Sequence, residues 1–154
     1  MQTMTLLAAQ ALRAGPALPD LPIPAGRVIV FDDRKVKRDA KTFPIAAESI
    51  DPGDMTYFVF DLDPLLEEGE GFTEITFSVP PESGALGLTI LEEPPHQARF
   101  IGDNRVLLWL DVNGKYEHDR AFAGSGVVCS IEFYGRTTFG GLWERTGGVR
   151  IHQK

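Results

Sequence analysis

"YFVFDLDPLL", Tyr57 to Leu66, sets two aspartates one leucine apart at the end of an apolar run. Two readings compete. In one, Asp61 and Asp63 are a carboxylate pair at the carboxyl end of a parallel strand that leads into a helix. In the other, a buried strand ends here and Asp63-Pro64 opens a turn, with Asp63 capping backbone N–H groups and Pro64 preset at the first position. The residues downstream decide. After "PLLEEGEGF" the chain runs straight into "TEITFSV", where Thr73, Ile75, Phe77 and Val79 alternate with Glu74, Thr76 and Ser78. A period of two gives a strand one buried and one wet face, and no helix intervenes.

The same punctuation continues along the chain. "GLTIL", "ARFI", "RVLLWLDV", "KYEHDRAF", "VVCSIEFYG" and "GVRIH" are short segments, rich in β-branched and aromatic residues, separated by Gly, Pro, Asn and Asp. "RVIVF" reads as an earlier strand. Regularly spaced short strands predict an all-β sandwich or barrel. Asn113-Gly114 predicts a type I′ hairpin, since both central residues of that turn need positive φ. Trp109 is the expected core anchor of the strand before it.

The opening window resembles the "FDLDGTL" signature of haloacid-dehalogenase-like phosphotransferases, but Pro64 and Leu65 stand where that signature has glycine and threonine. That chemistry requires a strand-loop-helix setting, which the following strand excludes. Asp61 and Asp63 are therefore assigned to structure, not catalysis.

A chain of 154 residues holds one ordinary domain with a genuine core. The net charge of -7 argues against a chain that grips nucleic acid, because phosphate neutralisation needs surplus Lys and Arg. With a single cysteine, Cys129 in "GVVCSIEF", no intrachain disulfide or multi-cysteine zinc site can form. No stretch approaches the ~20 apolar residues of a membrane span, and no basic residue precedes the first apolar stretch, so a soluble chain without a conventional secretion signal is expected.

Met4, Leu7, Ala8, Ala11 and Leu12 fall at helical spacing, which predicts a short amphipathic helix over residues 3 to 14. The segment "GPALPDLPIPAG" interleaves Pro16, Pro19, Pro22 and Pro24 with Leu18, Leu21 and Ile23, the composition of an extended polyproline-like arm. The domains expected are residues 1–26, helix and arm, and 27–154, the sandwich. An exposed Leu-Leu-Ile series gains by burial on a neighbour, so Leu7, Leu12, Leu18, Leu21 and Ile23 are the candidate partner-binding residues. The mixed-charge run "DDRKVKRDAKTF" reads as a solvated hairpin or edge strand.

Catalytic and metal constellations fail on inspection. "AGSGV" around Ser125 lacks the G-x-S-x-G order of a nucleophile elbow, and His96, His118 and His152 are scattered. "DVNGKYEHD" is too short for a calcium loop and lacks its terminal glutamate. No cofactor and no metal are expected. Phe139, Leu142, Trp143 and Arg145 in "FGGLWER" mark a second candidate surface, because an aromatic tip on a Gly-rich hairpin stacks well on a sugar or a protein.

From Ile50 to Ile151 the order of features resembles the Ig-like structural module of tailed-phage virions, found in fibre, head-tail-region and decoration proteins. The matching residues are Asp51-Pro52-Gly53-Asp54 with Tyr57 and Asp61; Leu65-Leu66 and Gly69; Ser78-Val79-Pro80; Gly87-Leu88; Val106 to Leu110 around Trp109; and Arg145-Thr146 before "GGVRI". Phe60 and Leu65 replace the tryptophans that usually flank the aspartate turn, and "FAGSGV" stands in for its later glycine-rich turn. The resemblance implies an Ig-like antiparallel β-sandwich over about residues 50–154, without enzymatic activity. It implies a virion structural protein anchored by its arm to capsid, neck or tail subunits and to copies of itself. The alternative is a carbohydrate- or receptor-binding sandwich that meets a host-surface glycan.

Overall fold

The computed structural model describes residues 2–7, 20–31, 43–102, 104–116 and 119–154. Among the described residues ten strands carry the fold: β1 (Gln2–Leu7), β2 (Val28–Val30), β3 (Ile45–Ile50), β4 (Met55–Asp61), β5 (Phe72–Val79), β6 (Leu88–Ile90), β7 (Arg99–Ile101), β8 (Arg105–Val112), β9 (Val127–Thr137) and β10 (Leu142–Ile151). They form two facing sheets. Sheet A has the order β1-β5-β9-β10-β3, and sheet B the order β2-β4-β8-β6, with β7 also paired to β8. The all-β sandwich expected from the alternation is the fold observed.

The sheets are mixed, not wholly antiparallel as expected. β2 runs parallel to β4, and β3 runs parallel to β10. Each of these short strands joins the edge of a different sheet, so neither is linked to its neighbour by a hairpin, the connection that would impose antiparallel pairing.

Alternation builds the core. Phe58 and Phe60 of β4, Val106, Leu108 and Leu110 of β8, Ile75 and Phe77 of β5, and Ile131 and Phe133 of β9 are buried in one continuous cluster. Phe133 lies at its centre, with ring centroids 5.8 Å from Phe31, 5.5 Å from Phe72 and 5.7 Å from Phe77. Tilted and edge-on pairs of this kind add about 0.5–1.5 kcal/mol each beyond the area they bury.

Three expectations are corrected. Residues 2–7, at the start of the expected 3–14 helix, are strand β1, paired antiparallel with β5 from Gln2 opposite Val79 to Leu7 opposite Glu74; residues 8–14 lie outside the described residues. Strand β1 therefore belongs to sheet A. The Asn113-Gly114 hairpin does not form either. No described non-glycine residue has positive φ, nor does Gly114. Asn113 instead accepts a hydrogen bond at Oδ1 from the Lys115 N–H and opens a 3₁₀ turn, Gly114–Tyr116. The next strand, β9, lies in the other sheet, so the chain has to cross the sandwich here. Lastly, "KYEHDRAF" is not a strand: its described ends are two 3₁₀ turns, the second at Arg120–Phe122. The run 32–42 lies outside the described residues.

Cys129 faces the core opposite Val149. Burial pushes its thiol up from 9.0 to about 11, with a hydrogen bond to Ser83 acting in the opposite sense. The folded state thus holds its proton at a pH where the unfolded chain has released it. That contribution to stability is complete below pH 9 and is lost as pH rises towards 11, by up to about 3 kcal/mol. Urea unfolding at pH 8 to 11 is expected to show a steeper fall for the native chain than for Cys129→Ala; parallel curves would count against it.

Candidate interaction surfaces

The two aspartates of the opening stretch end in structural contacts. Asp61, the last residue of β4, accepts a hydrogen bond from the Asp63 N–H at 3.2 Å and lies 3.8 Å from Arg105 Nε. Asp63 accepts from Asn104 Nδ2 at 2.9 Å. Asp63 is not the cap of the 3₁₀ turn Asp63–Leu65, contrary to expectation: Leu62 holds the N-cap position and Asp63 is the first residue of the turn. Pro64 is the second residue of that turn, one place later than expected.

Beside it, a cleft of about 610 Å³ opens between the 66–71 turn, Asn104 and Thr138. One of its lining carboxylates, Glu70, holds loops together. Glu70 Oε2 accepts from Thr137 Oγ1 at 2.7 Å, and Oε1 accepts from the Glu67 N–H at 3.1 Å. Among the described residues, no group of three or more His, Cys, Asp or Glu is arranged to hold a metal ion.

The same contacts clamp the β9–β10 hairpin. Thr138 N–H donates to the Gly71 carbonyl, and Thr138 Oγ1 accepts from the Gly71 N–H. Phe139 at the tip and Leu142 beside it are 63% and 58% exposed. Trp143 and Arg145 do not join them. In β10 they share the face of Gly147 and Val149, which turns inward; Trp143 packs half-buried against the core, and the Arg145 guanidinium carbon lies 4.7 Å from its ring centroid. The four candidate residues are thus split between an exposed tip and the margin of the core.

Sequence reasoning missed a second apolar layer on the outer face of sheet B. Tyr57, Val59 and Leu107 are buried there, with Leu21, Ile23, Val28, Ile101 and Trp109 packed around them. Trp109 faces this outer layer and not the central core, because in β8 it alternates with Leu108 and Leu110, which face inward. Its ring lies 5.1 Å from Tyr57 and 4.6 Å from His96. A signal for the layer was present in "YFVF": four consecutive apolar residues in one strand mean that both faces are covered.

What covers it is the described end of the Pro-rich segment. Leu21 and Ile23 lie on the layer, and the Tyr57 hydroxyl donates to the Pro22 carbonyl. Arg27 then stacks 5.1 Å from the Tyr57 ring and pairs with Glu48 at 2.7 Å. A Cβ at Gly26 would stand 2.8 Å from Glu48 Cγ, so a larger residue there has to displace the Glu48 side chain that pairs with Arg27. Of the other candidate arm residues, Leu7 ends β1, while Leu12 and Leu18 lie outside the described residues. Leu21→Ala with Ile23→Ala is expected to cost about 1–3 kcal/mol. In a Trp143→Phe background it should also shift Trp109 emission to the red; unchanged emission would mean these residues do not shield the ring.

No family model, curated protein or solved structure matches this chain.

Proposed function

We propose that the chain is a non-catalytic structural protein of a bacteriophage virion. It is an Ig-like module, tethered through its N-terminal segment to capsid, neck or tail subunits and to copies of itself, which stabilises or decorates the particle. The observation that carries this reading is strand adjacency. β5-β9-β10 lie together in one sheet and β4-β8-β6 in the other, the arrangement of the C-F-G and B-E-D strands of Ig-like sandwiches. The ordered motifs from Asp51 to Arg145 that resemble the tailed-phage module fall on this framework and support the same reading.

The chain is then expected in gradient-purified virions of the phage that encodes it, at a copy number set by the particle's symmetry. Deleting residues 2–7, the strand β1, should prevent its incorporation. Quantitative mass spectrometry of the particles reads both, and normal virions free of the chain would overturn the proposal.

The exposure of Phe139 and Leu142 on a clamped hairpin favours a second reading, a module that binds a host-surface glycan. Saturable binding on a glycan array, lost in Phe139→Ala with Leu142→Ala, would select it.

A further inference from the structure

The N-terminal segment uses two stations, both on its own sandwich. At the first, β1 closes the outer edge of sheet A by pairing all six residues with β5. Thr5 Oγ1 meets Thr76 Oγ1 at 3.1 Å, and Thr3 Oγ1 meets Ser78 Oγ at 3.4 Å. Met4 enters the core. The Gln2 side-chain amide brackets the backbone of Ile90 in sheet B, donating to its carbonyl at 2.6 Å and accepting from its N–H at 2.8 Å. At the second station, Leu21 to Ile23 lie on the Tyr57 and Trp109 face.

These stations differ in how they are tethered. Ile23 stands only a few residues before β2, which pairs with β4, so the second contact is bound to its own copy. Strand β1 is set apart by residues 8–19, a length that spans up to about 40 Å when extended. Among the described strands, leaving the β5 edge would disturb no other pairing, because β1 is an edge strand with β5 as its partner. The groove it fills is the same on every copy.

The described parts of the N-terminal segment dock on their own domain and so join nothing, whereas the tethering function proposed above requires the segment to reach another subunit. We propose that β1 is exchanged between copies: β1 of one chain adds to the β5 edge of a neighbour, with Met4 in that neighbour's core and Gln2 on its Ile90. Each bond made within the chain is remade between chains, so exchange leaves the contacts unchanged and is driven by the local concentration of copies. The mode is strand addition to a sheet edge, where backbone pairing supplies affinity and Met4 and Gln2 supply register. The inference rests on the reading of the chain as an assembly module.

The test uses full-length chains carrying Cys129→Ala, so that no other thiol is present. Thr5→Cys and Thr76→Cys chains are mixed at high concentration, oxidised and run on a denaturing gel. Exchange places the two new thiols opposite one another in different chains. The expected result is a shift to a two-chain mass that neither variant gives alone and that grows with concentration. A double variant, Thr5→Cys with Thr76→Cys, reports whether the β1–β5 pair forms at all. If it closes wholly within single chains while the mixture gives no two-chain product, exchange is overturned. The virion experiment is independent: incorporation without exchange removes this inference alone, and exchange in a chain absent from virions removes only the functional reading.

Discussion

Phe133→Ala is expected to lower the unfolding free energy by about 3–5 kcal/mol, the range for an aromatic ring removed from a closed core. The ring is fully buried and stands between the sheets, against Phe31 near the β2 edge, Phe77 of β5 and Phe72 at the start of that strand. None of these neighbours can readily fill the gap. Phe72 and Phe133 both press on Gly135, where an added Cβ would meet their rings at 2.7 and 2.6 Å, so the backbone already lies as close as it can. β9 is the central strand of sheet A, paired on both sides, and cannot move inward without disturbing β5 and β10. Phe133→Leu keeps part of the volume and should cost less than the alanine variant. Urea titrations check both through the midpoint at an unchanged slope. A loss under about 1 kcal/mol for Phe133→Ala would show that the sheets close over the space, since cost scales with the cavity that remains.

Alternation made the sandwich legible, and the exceptions have identifiable causes. In "QTMTLL", Met4 and Leu7 have helical spacing, yet Thr3, Met4 and Thr5 also alternate. A short helix is marginal alone, so the β5 edge, an element some seventy residues away in sequence, decides the conformation. At Asn113-Gly114, local turn preference points to a hairpin, but the chain's next partner strand lies across the core. Trp109 reads as a core residue from its type and its apolar neighbours; only the register of β8 against β4, with Trp109 opposite Tyr57, assigns it to the outer layer. The apolar character of Leu21 and Ile23 was visible, whereas the surface that receives them is assembled from β4, β7 and β8 and exists only after folding. Likewise, Leu142 and Trp143 are adjacent in "FGGLWER" but project to opposite sides of a strand, a consequence of the period of two. The Asp61 and Asp63 contacts follow the same rule. The strand end was readable, while Arg105 and Asn104 come from the far side of the β4–β8 pair.

Gly126→Ala is expected to cost about 2–5 kcal/mol, and Gly124→Ala, two residues earlier, only about 1–2 kcal/mol. Both glycines have positive φ, +71° and +62°, so each alanine bears the same left-handed backbone penalty. They differ in space. At Gly124 an added Cβ meets nothing within 4 Å. At Gly126 it would stand 2.2 Å from the Ile151 carbonyl oxygen and 2.9 Å from His152 Cα, both backbone atoms. Relief requires the turn before β9 and the end of β10 to separate. That movement breaks into a closed set of bonds: Gly126 N–H to the Ala123 carbonyl, His152 N–H to the Ile50 carbonyl, and Gln153 N–H to the Phe122 carbonyl. The third of these fastens the chain end over Phe122, a buried core residue, and the second ties β10 to β3. Displacement there is therefore felt at the closed end of the sandwich and not at the surface alone. Thermal and urea unfolding of the two variants side by side measures the steric part as their difference, about 1–3 kcal/mol. Equal losses would mean that the end of β10 yields without cost, and that the close approach at Gly126 is not what fixes the residue type there.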